Sequence, residues 1–374
     1  MESFLGRLIK LRSPLFFNNA ESKSWTQCAR NCSSKPYTLK KDRIIHPFRK
    51  IHPWISLNKF VQSLIDNLIY NKDGLIVLNK PYGISSQRIN NNESNTSHNI
   101  PYSDDYYTIS DGADIIAEKL GYKGLTVATG ADKYSSGIVI LVANENVLKQ
   151  LEISRRKISG RNILAKTYWI VTTRVPNDIK GKQRVSLELK RSGDETRAVI
   201  STKFSKREMK MDKVKVLNIQ YKVLSNSTLN LSSLMEMKPS RTKYHAIRLF
   251  SATHLYSPVL GDNYYGSRVQ NVGGTYLNVD PFSECVLYPP KLDKKLLELL
   301  CLTTSKQEII PVHQHFRNYV LPDFLGNGKD LSLTAPLPSY FKWTCEKLQF
   351  KYKFDDNENN ECVTEFKEVK INRN

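Results

Sequence analysis

Thr129-Gly130-Ala131-Asp132-Lys133-Tyr134-Ser135-Ser136-Gly137 runs straight into Ile138-Val139-Ile140-Leu141-Val142-Ala143, and this stretch decides how the chain is read. An unbroken apolar run rich in β-branched residues, opened by a turn signal, is a short strand buried on both faces. The turn in front of it is built from small and polar residues and carries one carboxylate, Asp132. Loops at strand ends are where catalytic groups gather. The ordinary alternative is an aspartate that caps its own turn.

Working outward, Gly74-Leu-Ile-Val-Leu-Asn79 reads as a second short strand, closed by the turn Lys80-Pro81-Tyr82-Gly83. Before it, Ser56 is placed to cap a helix carrying Phe60, Val61, Leu64, Ile65, Leu68 and Ile69 on one face. Residues 87–107 are polar and Asn/Ser-rich, the composition of a flexible insertion, and Ser110–Leu120 reads as a compact helix stopped by Gly121. Downstream, a helix is expected around Glu145–Lys157 and another over Leu292–Leu302. Strand-like segments lie at Tyr168–Thr173, Arg197–Thr202 and Val214–Val223. A strand-rich core with helices packed outside is an α+β pattern, not strict β-α-β alternation.

The chain has 374 residues with 56 Lys/Arg against 36 Asp/Glu, a surplus of +20 that favours a polyphosphate partner, nucleic acid first among them. The surplus is uneven. Residues 1–59 carry twelve Lys/Arg and three Asp/Glu, leaving +11 for the rest. Arg7, Lys10 and Arg12 interleave with Leu5, Leu8, Ile9 and Leu11, and a Ser-rich basic stretch follows. That is the profile of a mitochondrial transit peptide rather than a secretory signal; a basic RNA-contacting arm is the alternative. The expected organisation is therefore a leader over 1–50, one catalytic domain over 51–350, and a disordered acidic, Asn-rich tail over 351–374. No run is long and apolar enough to suggest a membrane span. The six cysteines form no CxxC pair, and His313-x-His315 lacks a nearby third ligand, so neither a disulfide scaffold nor a metal is expected. P-loop, dinucleotide-binding, zincin and nucleophile-elbow signatures do not occur.

Five blocks in order carry a resemblance. Asp132-Lys-Tyr-Ser-Ser-Gly137-Ile resembles the Asp-x-x-[Thr/Ser]-Ser-Gly motif of the RluA-type pseudouridine synthases. Leu78-Asn-Lys80-Pro-Tyr-Gly83 is similar to that family's N-K-P-x-G block, and Ala165-Lys166-Thr-Tyr168 to its K-x-Y block. Pro239–Arg248, ending His245-Ala-Ile-Arg248, resembles its T-G-[RK]-x-H-Q-[IL]-R block, and Pro258-Val-Leu-Gly-Asp262-Asn-Tyr-Tyr-Gly266 its P-[IV]-L-G-D-x-x-Y block. Toward the C-terminus, Pro311-Val-His313-Gln-His315 and Ala335-Pro-Leu-Pro-Ser-Tyr-Phe341 resemble the animal mitochondrial branch.

The resemblance implies a pseudouridine synthase fold: a mixed, largely antiparallel sheet with flanking helices and a central catalytic cleft. It implies isomerisation of uridine to pseudouridine in mitochondrial mRNA or rRNA, without cofactor or metal, in the company of mitochondrial RNA-processing or ribosome-assembly factors. Carried over residue by residue, Asp132, Tyr168 and Arg248 are the catalytic residues. Lys80, Lys243 and His245 are expected around the substrate. For Lys80 a purely structural role in its Lys-Pro turn stays open, and His245 suits a supporting hydrogen bond better than acid–base work. Asp262 suits pinning its own turn. The chemistry agrees: breaking C1′–N1 leaves C1′ electron-poor, where an ionised carboxylate helps, and a nearby Arg248 favours that charged form. Asp132 can serve by attack at C1′ or by removing the 2′ proton. Tyr168 offers a ring for the freed uracil and a hydroxyl for proton movement at C5.

Two departures stand out. The family's H-R-L-D is Thr129-Gly130-Ala131-Asp132 here, so the arginine that fills the gap behind a flipped nucleotide is a glycine. Thr242 and Ala246 replace Gly and Gln in the T-G-[RK]-x-H-Q block. A catalytically degenerate RNA-binding or ribosome-assembly factor of the same fold is the competing expectation.

Overall fold

The computed structural model describes residues 45–87, 107–130 and 132–352, together with the backbone of Val363–Phe366. The leader up to residue 44, residues 88–106 of the expected insertion, Ala131, and the tail positions 353–362 and 367–374 lie outside the described residues.

Packing begins at Ile45, six residues before the expected domain edge. Pro47–Lys50 forms a 3-10 turn whose Phe48 is fully buried in the core, and His46 reaches Leu300 O at 3.0 Å. Helix α1 (Leu57–Asp66) is capped by Ser56 as expected, but Leu68 and Ile69 do not continue it. They open strand β1 (Leu68–Lys72), which turns through Asp73-Gly74, both at positive φ, into β2 (Leu75–Lys80). Asp-Gly between two apolar runs is a strong hairpin signal, and it overrode the helical spacing. Then come α2 (Ile109–Leu120), β3 (Thr126–Thr129), β4 (Ser136–Val142), α3 (Glu145–Gly160) and β5 (Lys166–Val171). The long strands β6 (Lys180–Ser192) and β7 (Glu195–Ser201) follow, then α4 (Lys206–Lys210), β8 (Val214–Asn226), β9 (Ser233–Pro239) and α5 (Ala246–Thr253). A small hairpin of β10 (Val269–Val272) and β11 (Thr275–Asn278) precedes α6 (Lys294–Leu299), shorter than the expected Leu292–Leu302. The chain closes with β12 (Gln314–Leu321), β13 (Asp330–Thr334), α7 (Ser339–Lys347) and β14 (Val363–Phe366). β14 pairs with β13 in register Leu333↔Val363, so four residues of the tail expected to be disordered form an edge strand instead; Val-Thr-Glu-Phe is a β-prone sequence.

The main sheet runs β1-β2-β4-β12-β5-β9-β8-β6-β7, with β3 beside β4 and β13 beside β12. Its described pairings are antiparallel except β4 with β12, which is parallel. This is the mixed, largely antiparallel α+β sheet that was expected. The apolar run of β4 is buried along its whole length because both faces are covered. Val139 and Leu141 pack with Phe60, Leu64 and Ile116 of α1 and α2, while Ile138 and Ile140 enter the larger core on the opposite face. Strand alternation sends successive side chains to opposite sides, which is why the sequence showed no polar face.

The middle of the sheet is continuous but narrow. β4 and β12 join through only His315↔Ser136 and Phe316↔Gly137. At Gly137 the backbone has φ +111, and a Cβ there would lie 2.3 Å from Phe316 O. Only glycine lets the two strands approach this closely. The join sets Ser136 and Gly137, just after the Asp132 turn, against His315 and Phe316 of β12.

Candidate active site

Asp132 sits between β3 and β4, with its side chain 17% exposed. Its Oδ1 accepts the Tyr134 N–H at 3.0 Å, and its main-chain carbonyl accepts the Ser135 N–H at 3.0 Å, so the turn holds itself. Capping therefore uses one oxygen only. The other, Oδ2, lies 2.5 Å from His245 Nδ1. Burial alone would raise the Asp132 carboxyl. The His245 contact, the Arg248 charge and the Tyr134 N–H outweigh it and hold the group well below the usual carboxylate range. At neutral pH it is a partly buried anion.

His245 and Arg248 both come from the start of α5. Tyr244 and His245 have φ 58 and φ 51, the left-handed region that non-glycine residues rarely occupy, and this kink aims the imidazole at Asp132. Such strain costs on the order of 1–3 kcal/mol per residue and is typical of functional sites. One turn on, Arg248 is buried and forms a two-pronged pair with Asp262, Nε to Oδ2 at 2.8 Å and Nη2 to Oδ1 at 2.7 Å. Asp262 Oδ1 also accepts the Tyr264 and Tyr265 N–H groups at 3.1 and 3.0 Å, pinning the Leu-Gly-Asp turn as anticipated. The guanidinium lies between the rings of Tyr134 and Tyr265, 5.2 Å from each centroid. Its third nitrogen, Nη1, is buried without a hydrogen-bond partner among the described residues. Arg248 thus acts on Asp132 through its charge; the hydrogen-bonded partner of Asp132 is His245.

Tyr168 lies on β5, its ring stacked on Phe316 of β12 at 4.6 Å and 11°. Its hydroxyl is pushed far above the usual phenol range by burial, by the Asp132 charge and by Tyr319, so it stays protonated and is a proton donor. Asp132, Tyr168 and Arg248, distant in sequence, share one electrostatic neighbourhood.

One expected substrate contact is turned inward. Lys80 is fully buried, and its ammonium donates to Pro81 O, Ile84 O and Ser135 O at 3.0, 2.8 and 2.5 Å. The Lys-Pro turn is therefore the open structural alternative, not an RNA contact: Lys80 ties β2 to the Asp132 turn from below. Lys243 is exposed on the turn before His245. His313 and His315 are buried and hydrogen-bonded at both ring nitrogens, His313 to Pro311 O and Thr344 Oγ1, His315 to Ser136 Oγ and Ala335 O. The sequence reading passed over Phe316, Tyr134 and Tyr265. The last two stand inside quoted motifs, whereas Phe316 is identified only by its cross-strand partner.

A family model described as RNA pseudouridylate synthase matches residues 74–253, the segment that holds Asp132, Tyr168 and Arg248. That segment is an RNA pseudouridylate synthase domain. Among the relatives, the human mitochondrial pseudouridylate synthase RPUSD4 is 28% identical over 334 residues, 86% of this chain and 78% of its own length. The human mitochondrial mRNA pseudouridine synthase RPUSD3 is 25% identical over 305 residues, 81% and 82% of the two chains. The solved structure of human RNA pseudouridylate synthase domain containing 4 superposes with a TM-score of 0.58 at 23% identity, over 79% of this chain and 98% of that one, and shows the same fold. The relatives RPUSD4 and RPUSD3 are both named as mitochondrial proteins, in line with the resemblance of the C-terminal blocks to the animal mitochondrial branch.

Proposed function

We propose that this pseudouridine synthase acts on mitochondrial RNA, mRNA or rRNA, and that Asp132, Tyr168 and Arg248 carry the isomerisation. The observation that carries the reading is the ionised Asp132 carboxylate, held by His245 and the Arg248 charge beside the stacked Tyr168 ring. An anion at that point stabilises the electron-poor C1′ once the N1 bond breaks. The two rings of Tyr168 and Phe316 make a flat base on which a freed uracil can turn, and the protonated Tyr168 hydroxyl can donate a hydrogen bond to a uracil carbonyl; it could take the C5 proton only after giving up its own. Arg248 helps to keep Asp132 ionised. His245 must give up its bond to Asp132 Oδ2 when a ribose takes its place, which makes it a positioning residue. The mitochondrial relatives and the basic, acid-poor N-terminal sequence support the compartment.

Asp132→Asn tests the reading. It keeps the size of the side chain and should leave RNA binding intact while reducing conversion of uridine in a mitochondrial RNA pool by at least a thousandfold, about 4 kcal/mol of barrier. Pseudouridine-specific chemistry reads the product. Binding without conversion by the unaltered protein would favour the RNA-binding factor instead.

A further inference from the structure

Two cross-strand pairs beyond Tyr168–Phe316, and so on the same face, β5 and β12 present Lys166 opposite Tyr319. A cavity of about 530 Å³ opens there, within the size range of ligand-holding clefts. Four cations line it: Arg155 from α3, Lys166 from β5, Arg184 from β6 and Arg241 from the loop after β9. No carboxylate lines it among the described residues. The Lys166 ammonium lies 5.7 and 5.4 Å from the Phe316 and Tyr319 ring centroids, and burial together with Arg155 lowers its pKa to about 8. Four like charges with no carboxylate in the cavity wall repel one another, the nearby Asp212 charge reaching only Arg241 of the four, and an anion among them relieves that repulsion.

The cavity is joined to the catalytic turn. Arg155 Nη2 donates to Ala128 O at 2.8 Å and to Thr129 Oγ1, in the segment that leads into Asp132. Lys166 and Tyr168 are two residues apart on one strand, about 7 Å, close to one step of an extended nucleotide chain. Gly130 contributes no side chain, and a Cβ there would press on Ser86 at 3.1–3.3 Å; Arg155 joins Lys80, His245 and Arg248 among the cations beside this turn.

We propose that the cavity formed by Arg155, Lys166, Arg184 and Arg241 seats a backbone phosphate of the RNA strand next to the nucleotide held at Asp132. The proposal rests on the reading of the Asp132 site as the uridine site. A bound phosphate pulls Arg155 and, through Ala128 and Thr129, sets the turn that carries the carboxylate.

The test uses a short fluorescent oligocytidylate with one central uridine and the full-length protein. Arg184→Ala/Arg241→Ala removes two exposed cations of the cavity. Lys294→Ala/Lys295→Ala removes two exposed cations of α6 as a charge-matched control. The cavity pair should bind at least tenfold more weakly at low salt. Its slope of log affinity against log salt should flatten by about 0.7, because one phosphate contact on a single strand contributes roughly that much. The α6 pair should change affinity by less than threefold. Equal losses in both pairs, or no loss in the cavity pair, overturn the proposal. Inorganic phosphate is the second probe. Weak competition by it agrees with a strand phosphate. If it binds the unaltered protein tightly, and the cavity pair loses that binding while keeping RNA affinity, the cavity is a small-anion site and the proposal fails. Asp132→Asn in the same titration keeps affinity and slope, so loss of conversion reports on the uridine site and loss of slope on the cavity.

Discussion

The Arg248–Asp262 pair offers a quantitative test of how the site is braced. Its side chains are 1% and 0% exposed, and two charge-assisted hydrogen bonds of 2.8 and 2.7 Å join them. Asp262→Asn removes the negative charge but keeps an oxygen for the Tyr264 and Tyr265 N–H groups, so the loss falls on the guanidinium. Two such bonds at about 1.5–3 kcal/mol each, and the cost of leaving a buried charge without its partner, about 3–5 kcal/mol, agree on a destabilisation of about 4 kcal/mol. Arg248→Met should cost a similar amount because it strands the carboxylate. The double variant Arg248→Met/Asp262→Asn strands neither charge, so it should be no less stable than either single variant, a coupling of at least 2 kcal/mol. Urea unfolding at neutral pH measures this, with an unchanged denaturant slope as the check that the same two states are compared. Simple addition of the two single effects would refute the buried-pair argument. The double variant should also be folded yet fail to convert uridine, because the charge that supports Asp132 is gone. Turnover by the folded double variant would remove Arg248 from the mechanism.

Three further outcomes follow from the geometry. His245→Ala deletes the strongest influence lowering the Asp132 carboxyl, so the acid limb of the kcat/KM profile should move to higher pH; an unmoved limb would mean that His245 does not govern Asp132. Burial lowers His313 to about 4 and His315 to about 3, against 6.5 in the unfolded chain. Between pH 6.5 and pH 4 the unfolded state therefore binds protons that the native state refuses, and stability is lost as pH falls, by about 1.4 kcal/mol per unit for each histidine. Thermal unfolding across that window should show the decline, and His313→Gln should make it shallower. Gly130 leaves no side chain to fill the space behind an extruded nucleotide, and extrusion is cheapest from an unpaired position. A uridine in a loop should be converted faster than the same uridine in a stable stem; equal rates would end that reasoning.

The sequence by itself determined the local elements and singled out the candidate site residues. The apolar run at 138–143 required a doubly covered strand, Ser56 and Gly121 marked helix ends, and five ordered motif blocks pointed to Asp132, Tyr168 and Arg248 before any coordinates. Those features are readable because they depend on neighbours along the chain: alternation, caps, turn chemistry and motif spacing. The tertiary structure decided the partners. That Arg248 spends two nitrogens on Asp262, that His245 rather than Arg248 touches Asp132, and that Lys80 points inward depend on where β2, β4 and α5 meet. Phe316 became part of the site only because Gly137 lets β12 come within backbone contact of β4. The cation cavity likewise draws on four elements spread from residue 155 to residue 241. A surplus of positive charge can be counted in a sequence, but the repulsion that makes it bind a phosphate exists only once the fold has brought those charges together.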